Sequence, residues 1–164
     1  MIRLIATFCY TGLAPVAPGT AGSLAALVAG YALHVLGGPV LLVAATAVAF
    51  FGGWWATARY TADGANPDPS EVVIDEVAGM WLALWPLSIG LWMAGADRTV
   101  FPWPGWVAAF VLFRAFDILK PGPVGWADRL HSPLGVMLDD LIAGAMAAVL
   151  VALLAWIAHG LMGA

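Results

Sequence analysis

Apolar residues run through this chain in long blocks, and polar residues gather in the breaks between them. The blocks cover about 22–36, 40–58, 72–94, 105–119 and 136–161. A helix needs ~20 mainly apolar residues to cross the hydrocarbon core of a bilayer. Four or five of these blocks qualify, the first being short. The breaks read PVAPG, GGP, DGANPDP, the AGAD-to-PWPG stretch and KPGPVG, rich in the residues that end helices and open turns. No strand-type alternation is present, and lipid offers backbone groups no water to bond, so a helix bundle follows. The prediction is an all-α, polytopic membrane bundle with four or five transmembrane segments, forming one domain over residues 1–164. The opening MIRLIATFCYTGLAPVAPG carries one arginine and is soon interrupted by Pro15 and Pro18. That is a poor signal peptide, and a retained short helix at the membrane interface is expected there.

Composition agrees with the pattern. The chain is 63% hydrophobic and 10% charged, where soluble domains carry roughly 25% charged residues. Its mean hydropathy is +0.94. The single cysteine, Cys9, excludes an internal disulfide and is expected as a small buried apolar residue. His34, His131 and His159 are scattered; His34 and His159 suit packing or interfacial positions. Of nine tryptophans, Trp54, Trp92, Trp103, Trp106 and Trp126 fall near expected helix ends, as an interfacial belt requires. No zinc-ligand spacing, Walker loop, Gly-x-Gly-x-x-Gly or Gly-x-Ser-x-Gly element occurs. No nucleic-acid partner is expected, and the oligomeric state is left open.

Threading the blocks through a bilayer sorts the charges. Let the near side hold residues 15–20. The first block crosses away and the second returns, delivering Arg59 and the loop with Asp63, Asp68 and Glu71. The third leaves with Asp75 and Glu76 in its first turns. The fourth returns with Arg114, Asp117 and Lys120 in its last turns, and the fifth departs with Asp139 and Asp140 near its start. Nine of the ten acidic residues then share the near face with Arg59, Arg114, Lys120 and Arg129. Asp97 and Arg98 alone occupy the far loops. The excess of basic residues marks the near face as cytoplasmic.

Two near-side helix starts resemble one another: VVIDEVAGM and VMLDDLIAGAM. Each sets a carboxylate pair before a glycine, four residues after Asp75 (Gly79) and after Asp140 (Gly144). Positions four apart share a helix face, so each glycine lets a neighbouring helix approach beneath an acid. In FRAFDILKPGP, Arg114, Asp117 and Lys120 recur at three-residue spacing along one stripe, at the helix end that favours cations. Hard carboxylates without clustered thiols or imidazoles favour an oxygen-liking ion, by default Mg2+. A metal with an Arg and a Lys suits a phosphate. The segment APVAPGTAGSLAAL opens a helix on the same face. Its free N–H groups either cradle an anion, with Thr20 and Ser23 beside it, or Thr20 or Ser23 simply caps the helix.

Taken in order, PGTAGSLAAL, VVIDEVAGMW, FRAFDILKP and GVMLDDLIAG resemble the phosphatidylglycerophosphatase A family, from about residue 15 to 147. The resemblance implies an integral bacterial membrane phosphatase, dependent on Mg2+, that converts phosphatidylglycerol phosphate to phosphatidylglycerol in phospholipid synthesis. It carries Asp75, Glu76, Arg114, Asp117, Lys120, Asp139 and Asp140 as site positions, with Thr20 and Ser23 beside them. Asp128, Arg129 and His131 of GWADRLHSPLG also resemble the family's loop, whereas Asp63, Asp68 and Glu71 match too loosely to carry catalytic weight. In this reading Asp75, Glu76, Asp139 and Asp140 bind metal, while Arg114 and Lys120 hold the phosphate of a lipid substrate. Glu76, Asp117, Asp139 and Asp140 form the catalytic set. Asp117 acts as general base or orients Arg114, and the nucleophile is a metal-activated water or a carboxylate. The expected location is the bacterial cytoplasmic membrane, the site facing the cytoplasm. The rivals are another lipid phosphate phosphatase or transferase and a small ion-coupled transporter, which would place its ionisable residues near mid-membrane.

Overall fold

The structure is a computed structural model describing residues 1–62, 66 and 68–162, with side chains to residue 158; Asp63 and the side chain of His159 lie outside the described residues. Among the described residues there is no strand. The helices are α1 (Ile2–Ala6), α2 (Pro18–Tyr60), α3 (Ile74–Ala83), α4 (Trp85–Met93), α5 (Trp103–Leu119), α6 (Pro123–Asp128) and α7 (Pro133–Met162), with a 3-10 turn at Thr11–Leu13. Proline sits in the first turn of α2, α4, α5 and α6, where its missing N–H costs no helical bond.

α2 is continuous in chain but not in direction. Gly38 adopts φ 64° and ψ −157°, and Pro39 follows it, a left-handed backbone suited to glycine. Before the break Gly22 packs against Val73, the Ala26 carbonyl accepts from Trp81 Nε1 at 2.8 Å, and His34 Nδ1 bonds Ser88 at 2.8 Å. After it, Thr46 Oγ1 accepts from Trp85 Nε1 at 3.1 Å, and Gly53 touches Ile74 and Met137. The partners ascend along the first half and descend along the second, so the chain doubles back at Gly38. This is the reversal expected from GGP.

Among the described residues, three helical stretches are long and apolar enough to cross a membrane: Pro18–Tyr60, Ile74–Met93 and Pro133–Ala158. The sequence suggested four or five segments. The difference has two sources: two expected blocks lie within the broken α2, and α5 has only 17 residues. α1, at five residues, reaches about 7.5 Å and is too short to cross. Val73 N–H donating to the Ala6 carbonyl at 2.9 Å ties it to the start of α3.

The core is built from Leu42, Met80, Leu84, Phe113 and Met137, all fully buried. Val28, Phe51, Val149 and Trp156 remain exposed on the outer faces, an apolar exterior that suits lipid. Trp92, Trp103 and Trp126 are exposed as a belt requires, but Trp106 is fully buried. It stacks on Phe101 and meets Tyr31 edge-on. Cys9, expected to be buried, is exposed, because Phe8, Cys9 and Tyr10 all take positive φ and form an outward turn.

Candidate active site

The site begins where α3 crosses α7. A Cβ added at Gly79 would strike the Asp140 carbonyl and lie 2.6 Å from Phe113 Cε2. One added at Gly144 would lie 2.8 Å from Gly79 C and 2.9 Å from Gly79 Cα. The helices therefore meet backbone to backbone, as small residues at a crossing allow. One helical turn before each glycine stands an acid. The two motifs also share a local bond: Asp75 Oδ1 accepts from the Glu76 N–H at 3.0 Å, and Asp139 Oδ1 from the Asp140 N–H at 2.9 Å.

This crossing gathers Asp75, Glu76 and Asp140, each offering a carboxylate oxygen within 4.8 Å of the others. Asp75 and Asp140 are buried, and Glu76 Oε2 is buried without a hydrogen-bond partner among the described residues. A buried acceptor left unbonded costs about 1–3 kcal/mol, and a cation would relieve it. All-oxygen, anionic donors fit a hard divalent ion, so the cluster is able to hold a metal. Of the four expected ligands, Asp139 stands apart from this cluster and turns to Lys120.

The cations come from α5. Arg114 Nη1 donates to Asp117 Oδ2 at 2.5 Å and to Ser23 Oγ at 3.3 Å, and lies 3.9 Å from Glu76 Oε1. Ser23 Oγ in turn donates to the Gly19 carbonyl at 2.8 Å. A Cβ at Gly19 would collide with Glu76 Oε1 and stand 3.4 Å from Arg114 Nη1, so any side chain there would displace the Glu76 carboxylate. No side-chain hydrogen bond caps α2, and Ala17 is its N-cap; the capping expectation for Thr20 and Ser23 is not met. Lys120 ends α5 in a left-handed conformation, φ 45°. Its Nζ donates to Asp128 Oδ1 at 2.5 Å and Asp139 Oδ2 at 2.6 Å. Burial alone would lower the Lys120 pKa. The two carboxylates more than reverse this and hold the ammonium above its ordinary value.

A cleft of about 310 Å3 opens among these groups, lined by Asp75, Glu76, Arg114, Asp117, Lys120, Asp139 and Asp140 together with Pro18 and Gly19. Seven of the nine expected site residues thus share one cavity. Ser23 lies beneath Arg114 as its hydrogen-bond partner, and Thr20 is not among the lining residues. Asp68, expected to carry no catalytic weight, also lines the cleft, together with Ser70, which no motif singles out. They sit in a loop without helical periodicity, and only proximity reveals them. Glu71 faces elsewhere, accepting from Tyr60 Oη at 3.2 Å. His131 is exposed, its Nδ1 2.7 Å from the Arg129 carbonyl.

No solved structure gives a significant match to the chain. The family profile described as Phosphatidylglycerophosphatase A matches residues 4–155. A Bacteroides thetaiotaomicron protein named "Putative phosphatidylinositol-3-phosphatase" is 38% identical over 94% of this chain and 93% of its own length. A phosphatidylglycerophosphatase A of Escherichia coli is 35% identical over 89% of this chain and 78% of its own. That of Haemophilus influenzae is 36% identical over 92% and 86%. With the profile spanning nearly the whole chain and the relatives aligned across most of theirs, the protein belongs to the phosphatidylglycerophosphatase A family.

Proposed function

We propose that the protein hydrolyses the terminal phosphate monoester of phosphatidylglycerol phosphate, giving phosphatidylglycerol and inorganic phosphate in phospholipid synthesis. The observation that carries this reading is one cleft joining a largely buried carboxylate triad to Arg114 and Lys120. Unmetallated, three carboxylates would repel a phosphate dianion. Asp75, Glu76 and Asp140 would hold Mg2+, and the bound ion supplies the positive charge that stabilises a phosphoryl transition state.

The chain's own groups divide the remaining work. Asp117 and Ser23 both accept from Arg114 Nη1, which fixes the guanidinium. Its Nε has no hydrogen-bond partner among the described residues, leaving an N–H for a phosphate oxygen, where Arg geometry is well matched. The short Arg114 bond favours an orienting role for Asp117 over a general-base role. Both Asp139 oxygens are engaged, one by Lys120 and one by the Asp140 N–H, which favours positioning of Lys120 over nucleophilic attack. Direct attack by water is the simpler course for such a site. The cleft lies at one end of the bundle, unlike a mid-membrane transport site, and the basic residues on that side favour a cytoplasmic orientation.

Phosphatidylglycerol phosphate and phosphatidylinositol 3-phosphate, the substrate named for the Bacteroides relative, pose the same chemical problem. Each carries a monoester to remove and a phosphodiester to keep. Purified protein in non-ionic detergent with Mg2+ should release phosphate from the first, with phosphatidylglycerol identified by mass spectrometry. Faster turnover of the phosphoinositide would overturn the substrate assignment, and no release from either would overturn the phosphatase reading.

A further inference from the structure

α6 bears on the cleft through Asp128, whose carboxylate holds Lys120 Nζ at 2.5 Å. The next residue, Arg129, is a different kind of cation from Arg114 and Lys120. Those two are tied to carboxylates, whereas Arg129 has no carboxylate partner among the described residues. Its guanidinium is nevertheless close to the backbone of Lys120. A Cβ built on Gly125 would lie 2.6 Å from the Lys120 carbonyl oxygen and 3.4 Å from Arg129 Nη1. Those distances put Arg129 Nη1 at most about 6 Å from the backbone of Lys120, a cleft-lining residue.

The mount is held by backbone hydrogen bonds and carries exposed apolar side chains. Arg129 N–H donates to the Gly125 carbonyl at 3.4 Å, Leu130 N–H to Ala127 at 3.0 Å and His131 N–H to Asp128 at 3.4 Å. Trp126 of α6 and Leu130 just after it are 55% and 41% exposed, apolar neighbours suited to the bilayer interface. Inside the cleft acids outnumber bases, so a second anionic group of a lipid substrate needs a cation outside it.

We infer that Arg129 receives the phosphodiester of the lipid while the monoester occupies the cleft beside Arg114 and Lys120. This rests on the phosphatase reading above and assigns Arg129 as a specificity residue. A phosphodiester carries one negative charge and two free oxygens, which a guanidinium fork bonds in parallel. The arrangement favours lipid phosphates with a diester one short linker from the monoester. It gives no advantage to phosphatidic acid, which has a monoester alone.

The test separates the two phosphate subsites without needing turnover. Wild type, Arg129→Gln and Arg129→Lys, in non-ionic detergent free of other phospholipid, are titrated calorimetrically with short-chain phosphatidylglycerol and separately with inorganic phosphate. Arg129→Gln should weaken phosphatidylglycerol about tenfold and Arg129→Lys less, with phosphate affinity unchanged and thermal unfolding as in wild type. Equal weakening of both probes, an unchanged phosphatidylglycerol affinity, or no saturable binding of that lipid by wild type overturns the assignment. An effect seen only in lipid bilayers would assign Arg129 to bulk headgroups and also overturn it. Phosphate release by wild type, measured beside the titrations, reports separately on the phosphatase reading.

Discussion

Gly144→Ala adds one methyl group at the crossing that builds the site. Its Cβ would stand 2.8 Å from Gly79 C and 2.9 Å from Gly79 Cα, where carbon atoms ordinarily rest ~3.5–4.0 Å apart. The obstacle is backbone, with the Gly79 carbonyl oxygen nearest of all, so no rotamer change relieves it, and α3 must move from α7 by roughly 1 Å. Overpacking of this kind costs about 1–3 kcal/mol, while alanine recovers about 0.8–1 kcal/mol of helix propensity. Net destabilisation should therefore stay below about 2 kcal/mol. Catalysis is the more sensitive readout. Asp75 and Glu76 move with α3 and Asp140 with α7, opening a cluster whose oxygens lie within 4.8 Å. Misplacement by ~1 Å can cost about 100-fold. Phosphate release should fall ten- to a hundredfold, with more Mg2+ needed for half-maximal rate, while the protein still unfolds cooperatively in detergent. Gly90→Ala, whose Cβ meets nothing within 4 Å, is the control and should be neutral. Wild-type turnover and wild-type metal requirement in Gly144→Ala would refute the reasoning.

Other substitutions probe single links. Ser23→Ala removes the acceptor beneath Arg114 and should raise KM several-fold with little loss of stability, since the net worth of such a bond is about 1 kcal/mol. Arg114→Lys should lose most activity despite keeping its charge, because an ammonium cannot hold Asp117, Ser23 and a phosphate in one plane; activity near wild type would count against a clamp. Because the Lys120 ammonium is held above its ordinary value, its stabilising contribution is full below about pH 10.4 and is lost as pH rises through the higher folded value. Asp128→Asn should make that loss smaller and complete it at lower pH in unfolding measurements between about pH 10 and pH 12, and an unchanged profile would contradict the pairing.

Much of this was legible from residue order. The apolar blocks gave a helical membrane class, and GGP marked the reversal at Gly38. The paired acid-glycine motifs foretold the α3–α7 crossing, because a four-residue helical spacing translates directly into a shared face. What stayed hidden depended on contacts across the chain. Asp68 and Ser70 reach the cleft from a loop with no periodicity to read. Asp139 turns to Lys120 because α6 delivers Asp128 to the same ammonium, a geometry that no local pattern encodes. Trp106 looked interfacial by its place near a helix end, yet Tyr31 and Phe101 close over it.

The central claim is that Asp75, Glu76 and Asp140 form a divalent-cation site that makes the cleft a phosphatase. Its most direct test is phosphate release from phosphatidylglycerol phosphate by purified wild type, Asp140→Asn and Glu76→Gln as Mg2+ is titrated after EDTA treatment. Wild type should show no turnover without the ion and recover on its addition, while both variants should need far more metal or stay inactive. Undiminished turnover in EDTA, or variants with the wild-type Mg2+ dependence, would contradict it.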